Sequence, residues 1–349
     1  MKTIQISEGA IKLLVPDPKK YRLTAKAPVF YNPAMISSRD ISVLLAKVLK
    51  PISAVDLLAA TGVRGLRIKK EAKIKDVYIN DANPLAFNLM KRNAKLNKLK
   101  VNISELRAHE FLATRYKLKH KKFHYLDIDP FGTPVPFLDA GVKAIVETGG
   151  VIAVTATDTS NLCGTYPSSC LRKYGAKPLR NYLMNEIGSR ILIKKVQEMG
   201  AMYDLALTPI FCHATRHYMR AYLRAERGAE ETNKVLKQIG MFKGAGPMWL
   251  GPLYDTAIVE KMQKLAAKDK FISKETKQLL YTIKEESKIN TPGFFDLTEF
   301  HLKQIPKLQK VLEKLWMKGF KAARTHFSRT GIKTNATEEE FAKLLRPHQ

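Results

Sequence analysis

In the first half of the chain, short β-branched or apolar runs alternate with helical patterns, and this alternation limits the fold more than any other feature. "ISAVDLL" (52–58) reads as a strand, and "AATGVRGLRIKKE" as a turn opening a helix. "DVYIND" (76–81) is a second strand, followed by "PLAFNLMKRNAKLNK" with apolar residues at helical spacing. "VNIS" and "FHYLDID" supply a third and a fourth strand, "PVPFLDAGVKAIVETGG" a helix ended by glycines, and "VIAVTAT" a fifth strand. Strand and helix in alternation predict a mainly parallel, doubly wound α/β sheet. Two later extended segments, "YDLALTPIFC" and "HYMRAYLRAE", lie close enough in sequence to form an antiparallel pair at its edge.

After Glu226 the pattern changes. "RGAEETNK" is polar, "GAGPMWLGPLYD" is turn-rich, and a lysine-rich helical region runs from Thr256 to Lys288. We therefore expect two domains, 1–226 and 227–349, in a chain of 349 residues that is long enough for both.

The charge is +28, from 60 basic and 32 acidic residues, and it is not confined to a tail. From Arg227 onward 23 basic residues face 14 acidic ones, so both parts carry an excess. An excess this large and this spread favours a polyanion such as nucleic acid as partner. Cys163, Cys170 and Cys212 form no C-x-x-C pair, which points to a reducing compartment and no metal site. No apolar run approaches the ~20 residues that cross a bilayer, and the N-terminus has no apolar signal core. The expectation is a cytoplasmic protein with no membrane and no metal, acting as a monomer.

In an open parallel sheet, ligands sit at the carboxyl ends of the strands. "DLLAATGVRG" is such an end, with Asp56 closing the strand and Gly62 permitting a tight turn. It is neither G-x-G-x-x-G nor a P-loop, so a dinucleotide or triphosphate is not indicated. Asp81, 19 residues after Gly62, ends the next strand where a carboxylate can accept hydrogen bonds from ribose hydroxyls, or else cap the following helix. An adenosine-containing ligand without a pyrophosphate fits both features, and S-adenosylmethionine fits best.

The fourth strand ends in "DIDPFGTP". An exocyclic amine on a base is a poor nucleophile because its lone pair is delocalised into the ring. Catalysis requires acceptors for its N–H groups while charge develops. Asp129 offers a carboxylate and Pro130 a carbonyl. Phe131 offers a face on which an extruded base stacks, and Gly132 allows close approach. Asp127 shares a face with Asp129 and is given no role.

These residues resemble the tRNA guanine-N2 dimethyltransferases that modify guanosine 26, in their archaeal form. The resemblance runs through "VFYNPAMISSRD", "DLLAATGVRGLR", "NDANP", "DIDPFGTP", "VTATDTSNLCGTYPSSCLRKYGAKPLR", "RHYMRAYLRAE", "GPMWLGPLYD", "TPGFFDLTEF" and "GFKAARTHFSRTGIKTNA". It implies a class I S-adenosylmethionine-dependent methyltransferase, Rossmann-like in fold, with a C-terminal α+β domain that binds tRNA. It also implies that Arg39 and Arg64 contact the cofactor, with Asp81 on its ribose and Ala108 near the adenine. Asp129 then binds the target amine and Phe131 stacks on the base. Two departures stand out. Where the family has an Asp-Ala pair, this chain reads Arg107-Ala108, so the acidic contact is lost or is supplied by Glu105 or Glu110. The two cysteine pairs that many members carry before the "GPMW" block are absent. Guanosine 10 of tRNA, adenine N6 of DNA, and a non-catalytic nucleic-acid binder are the alternatives.

Overall fold

The computed structural model describes residues 1–22, 24, 26–215, 217–300 and 304–345. An N-terminal hairpin of β1 (Thr3–Glu8) and β2 (Ile11–Pro16) precedes helix α1 (Ile36–Leu49). The alternating region follows as β3 (Ser53–Asp56), α2 (Val63–Glu71), β4 (Asp76–Asn80), α3 (Pro84–Leu96), β5 (Asn102–Ser104), α4 (Ala108–Thr114), β6 (Tyr125–Ile128), α5 (Val135–Ala144) and β7 (Val151–Ala156). Helices α6 (Thr159–Leu162), α7 (Pro167–Tyr174) and α8 (Met184–Ala201) lead to the long strands β8 (Leu205–Ala214) and β9 (Met219–Arg227).

Seven strands form one sheet in the order β5-β4-β3-β6-β7-β9-β8. The first five are parallel, whereas β9 runs antiparallel to both β7 and β8. The expected edge pair is therefore present, entered through β9. Every residue of β3, β6 and β7 is buried, which is why these strands read as unbroken apolar runs rather than alternating ones. Helix α3 begins where the sequence supplies its signals. Pro84 opens α3, and the Asn83 side chain before it accepts the Leu85 N–H at 2.9 Å.

One expectation is corrected. Helix α5 stops at Ala144, well before the glycines. Ile145 and Val146 are drawn into pairing with Phe123, through Phe123 N–H to Ala144 O at 2.8 Å and Val146 N–H to Phe123 O at 2.9 Å. The lysine-rich helical region is present as two helices, which break at Asp269, where its carboxylate accepts the Phe271 N–H and Ser273 caps the second.

The rest of the chain contains α9 (Ala229–Leu236), β10 (Ile239–Phe242), β11 (Ala245–Trp249), α10 (Thr256–Lys268), α11 (Lys274–Glu286), β12 (Phe295–Asp296), α12 (Leu308–Met317), β13 (Ala322–Arg324), β14 (Gly331–Thr334) and α13 (Glu338–Leu345). One core runs from Ile11 to Phe327, and a smaller one gathers Leu297, Val311, Leu315, Ile332 and Phe341 around the β12-β14-β13 sheet. The two are joined by buried charge. Glu186 on α8 accepts from Arg190 Nε and Lys333 Nζ, each at 2.9 Å.

Candidate active site

A cleft of about 660 Å³ opens at the carboxyl ends of β3, β4, β6 and β7. That is a size common to small-ligand sites. Its lining includes Arg39, Asp56, Arg64, Asp81, Asp129, Pro130 and Phe131. The two ends that were read separately in the sequence thus face one space.

The cofactor end is a loop held tightly by the strand-end carboxylates. Gly62 has φ +76°, and a Cβ there would meet Met90 Cγ at 3.1 Å and Ile79 Cδ1 at 3.2 Å. Glycine is therefore favoured by the positive φ, and a side chain there would also have to displace Met90 and Ile79 slightly. Asp81 accepts the Ala60 N–H at 2.8 Å and the Asn83 N–H at 2.9 Å. It anchors the preceding loop, while the helix cap falls to Asn83. Asp56 is buried and accepts the Gly65 N–H at 3.0 Å. Burial, then the charge of Asp127, raises its carboxyl to about 7 against the pull of Arg64.

Both expected arginines are buried in the wall. Arg39 donates to Glu8 Oε1 at 2.6 Å and Oε2 at 2.7 Å, a fork on a carboxylate delivered by the N-terminal hairpin. Burial pushes Glu8 up, but Arg39 and Arg67 outweigh it and hold the carboxyl below its ordinary value. Nη1 of Arg39 makes no hydrogen bond among the described residues. Arg64 donates to Ser42 Oγ at 2.6 Å and to Asp129 Oδ2, and its Nε lies 3.4 Å from Asp127 Oδ1.

The catalytic end follows β6. Asp129 is paired with Arg64 through Oδ2. The Pro130 carbonyl accepts nothing among the described residues. Phe131 is 53% exposed and meets Phe30 edge-to-face at 4.7 Å between ring centroids. Gly132, at φ +75°, donates its N–H to Thr157 Oγ1 at 2.6 Å and so fixes the turn to the end of β7. Ala108 is buried at the start of α4 and does not line the cleft; neither do Arg107, Glu105 or Glu110. The Glu110 carboxylate instead accepts the Arg107 N–H at 3.1 Å.

Sequence reasoning missed Phe30, Tyr31, Phe137, Thr157 and His217, which also line the cleft. Phe30 and Tyr31 stand in a run that reads as an irregular leader to α1. His217 arrives from the β8–β9 turn, more than eighty residues after Asp129. Among the described residues no group of three or more His, Cys, Asp or Glu side chains is arranged to hold a metal, and no helix is long and apolar enough to cross a membrane.

The sheet order, its antiparallel edge and a cleft lined by strand-end carboxylates define a class I S-adenosylmethionine-dependent methyltransferase fold. Residues 9–244 and 240–346 match the family described as N2,N2-dimethylguanosine tRNA methyltransferase, and the chain belongs to that family. The tRNA (guanine(26)-N(2))-dimethyltransferase of Pyrococcus furiosus is 37% identical, with 99% of each chain covered. The tRNA (guanine(26)-N(2)/guanine(27)-N(2))-dimethyltransferase of Aquifex aeolicus is also 37% identical, over 97% of this chain and 95% of its own. A solved structure of Trm1 from Pyrococcus horikoshii in complex with S-adenosyl-L-methionine superposes with TM-score 0.88 at 35% identity, covering 98% of this chain and 99% of that one.

Proposed function

We infer that this chain methylates the exocyclic N2 amine of guanosine 26 in tRNA, once and then again, to give N2,N2-dimethylguanosine, with S-adenosylmethionine as donor. The observation that carries this reading is the D-P-F-G turn opening into the same cleft as the loop that ends β3.

The cleft fits that donor. Thr61 lines it with a buried hydroxyl that has no hydrogen-bond partner among the described residues, and Arg39, whose hydrogen bonds run through Nε and Nη2, lines it as well. Asp81 and Asp56 are placed to accept from ribose hydroxyls or an amino group. Arg39 and Arg64 offer positive charge for a carboxylate. When bound, the donor supplies a methyl group made electrophilic by a sulfonium.

The chain's own part is to hold the amine. Asp129, oriented by Arg64, accepts one N–H of the target nitrogen, and the Pro130 carbonyl accepts the other. Phe131, with Phe30 buttressing its edge, gives the extruded guanine a flat wall. As the nitrogen takes up the methyl, its proton passes to Asp129 Oδ1 and from there to solvent. The basic residues of both parts favour tRNA as the polyanion. The same reading places the enzyme in the cytoplasm as a monomer without a metal, and divides it near residue 227 into a methyltransferase domain and a tRNA-binding domain.

Asp129→Ala tests the assignment. With labelled S-adenosylmethionine and unmodified tRNA, transfer is expected to fall by about three orders of magnitude while tRNA affinity stays within about threefold. Equal loss of binding and turnover would overturn the role given to Asp129.

A further inference from the structure

Below the Asp129 carboxylate lies a closed cluster of charge. Arg220, on β9, is fully buried. Its guanidinium donates to Asp127 Oδ2 and Thr155 Oγ1, to Tyr222 Oη at 2.8 Å and to Ser42 Oγ at 3.2 Å. Its Nη1 lies 4.0 Å from Asp129 Oδ2. Asp127 also accepts the Tyr125 hydroxyl at 2.8 Å, and Ser42 is shared with Arg64. Three carboxyl groups, Asp56, Asp127 and Asp129, therefore face two guanidinium groups, with the phenols of Tyr125, Tyr218 and Tyr222 and the ring of His213 around them.

Arg64 stands between two claimants. Its Nη2 holds Asp129, whereas its Nε is 3.4 Å from Asp127. The Asp127 side chain is fully buried; that of Asp129 is 17% exposed. A buried carboxylate without a cation is the costlier of the two to leave, because Asp129 can recruit water and Asp127 cannot. Asp127 Oδ1 has no hydrogen-bond partner among the described residues, so Arg220, paired to Oδ2, is the cation that keeps Arg64 from being drawn fully onto Asp127 and away from Asp129.

We propose that Arg220, acting through Asp127, is a positioning residue for methyl transfer: it neutralises the deeper carboxylate and thereby reserves Arg64 for orienting the amine acceptor Asp129. Loss of Arg220 hands Arg64 to Asp127 and frees the Asp129 side chain to rotate. The proposal rests on the reading of Asp129 given above.

The test compares Arg220→Gln, Arg220→Lys and the double variant Asp127→Asn/Arg220→Gln with wild type. The assay is methylation of a tRNA transcript, alongside cofactor titration and circular dichroism. Arg220→Gln is expected to lower kcat at least about thirtyfold, with the KM for tRNA and the Kd for S-adenosylmethionine within about threefold. Arg220→Lys should restore part of the loss. The double variant should regain about tenfold over Arg220→Gln, since no buried carboxylate remains to compete for Arg64. A merely structural arginine predicts the opposite, a double variant as poor as the single one or poorer, and that result overturns the proposal. Should Arg220→Gln not fold, the double variant decides alone: kcat within about tenfold of wild type upholds the idea, and a larger loss in a folded protein overturns it. Failure of wild type to methylate N2 of guanosine 26 would instead strike the underlying reading.

Discussion

Asp56 offers a prediction whose sign and size follow from its surroundings. Its ordinary value is 3.8, and burial beside Asp127 and Asp129 raises it to about 7. In the unfolded chain the carboxyl loses its proton near pH 4, whereas in the fold it keeps the proton until near pH 7. Across that window the folded state binds the extra proton, so stability contributed by the neutral form is lost as pH rises towards 7. At about 1.4 kcal/mol per pH unit the ionised group costs at most about 4 kcal/mol above pH 7. Asparagine fills the same space, accepts the same Gly65 N–H and cannot ionise. The stability of Asp56→Asn minus that of wild type should therefore grow by about 2–3 kcal/mol between pH 5 and pH 8. Urea denaturation of both proteins at several pH values, read by tryptophan fluorescence, measures this difference. A difference that stays flat within about 0.5 kcal/mol over the window would refute the reasoning.

Three other expectations follow. Phe131→Leu should leave thermal stability nearly unchanged, because the ring is half exposed, yet lower kcat/KM for tRNA about tenfold to a hundredfold through lost stacking of 1–3 kcal/mol. Gly62→Ala should weaken S-adenosylmethionine binding in a calorimetric titration and cost about 1–2 kcal/mol of stability, since the backbone sits at φ +76° against Met90 and Ile79. Lys333→Met should cost about 2 kcal/mol or more by leaving Glu186 with Arg190 as its remaining cation, and Glu186→Gln/Lys333→Met should recover part of it in the same denaturation assay.

How far such features can be read in advance depends on where the information lies. The parallel core was legible because β3, β6 and β7 are buried on both faces and so carry continuous apolar runs, with helical spacing between them. Asp56, Asp81 and Asp129 were legible as strand ends, because chemistry in such sheets collects there. The partners that complete the site were not. Glu8 sits 31 residues before Arg39 and on a hairpin whose short strands give little signal. Arg220 lies 93 residues beyond Asp127, in an extended segment whose pattern gives no sign of that partner. Arg67, Arg190, Arg220, Lys194 and Lys333 are all fully buried, so part of the positive charge that points to a polyanion is spent inside the fold on Glu186, Asp127, Asp40 and their neighbours. Charge counted along a sequence does not separate these from the surface lysines. Helix α5 was overextended for a related reason. Ile145 and Val146 continue the apolar pattern but are β-branched, and Phe123 offers them a strand-like partner that is not adjacent in sequence.

The central claim is most directly tested by incubating the protein with an unmodified tRNA transcript and labelled S-adenosylmethionine, then mapping the label by nuclease digestion and mass spectrometry. A parallel transcript carries adenosine at position 26. The account predicts N2-methylguanosine followed by N2,N2-dimethylguanosine at position 26, and no label at that position in the substituted transcript. Equal labelling of both transcripts, or label confined to another nucleotide, would contradict it.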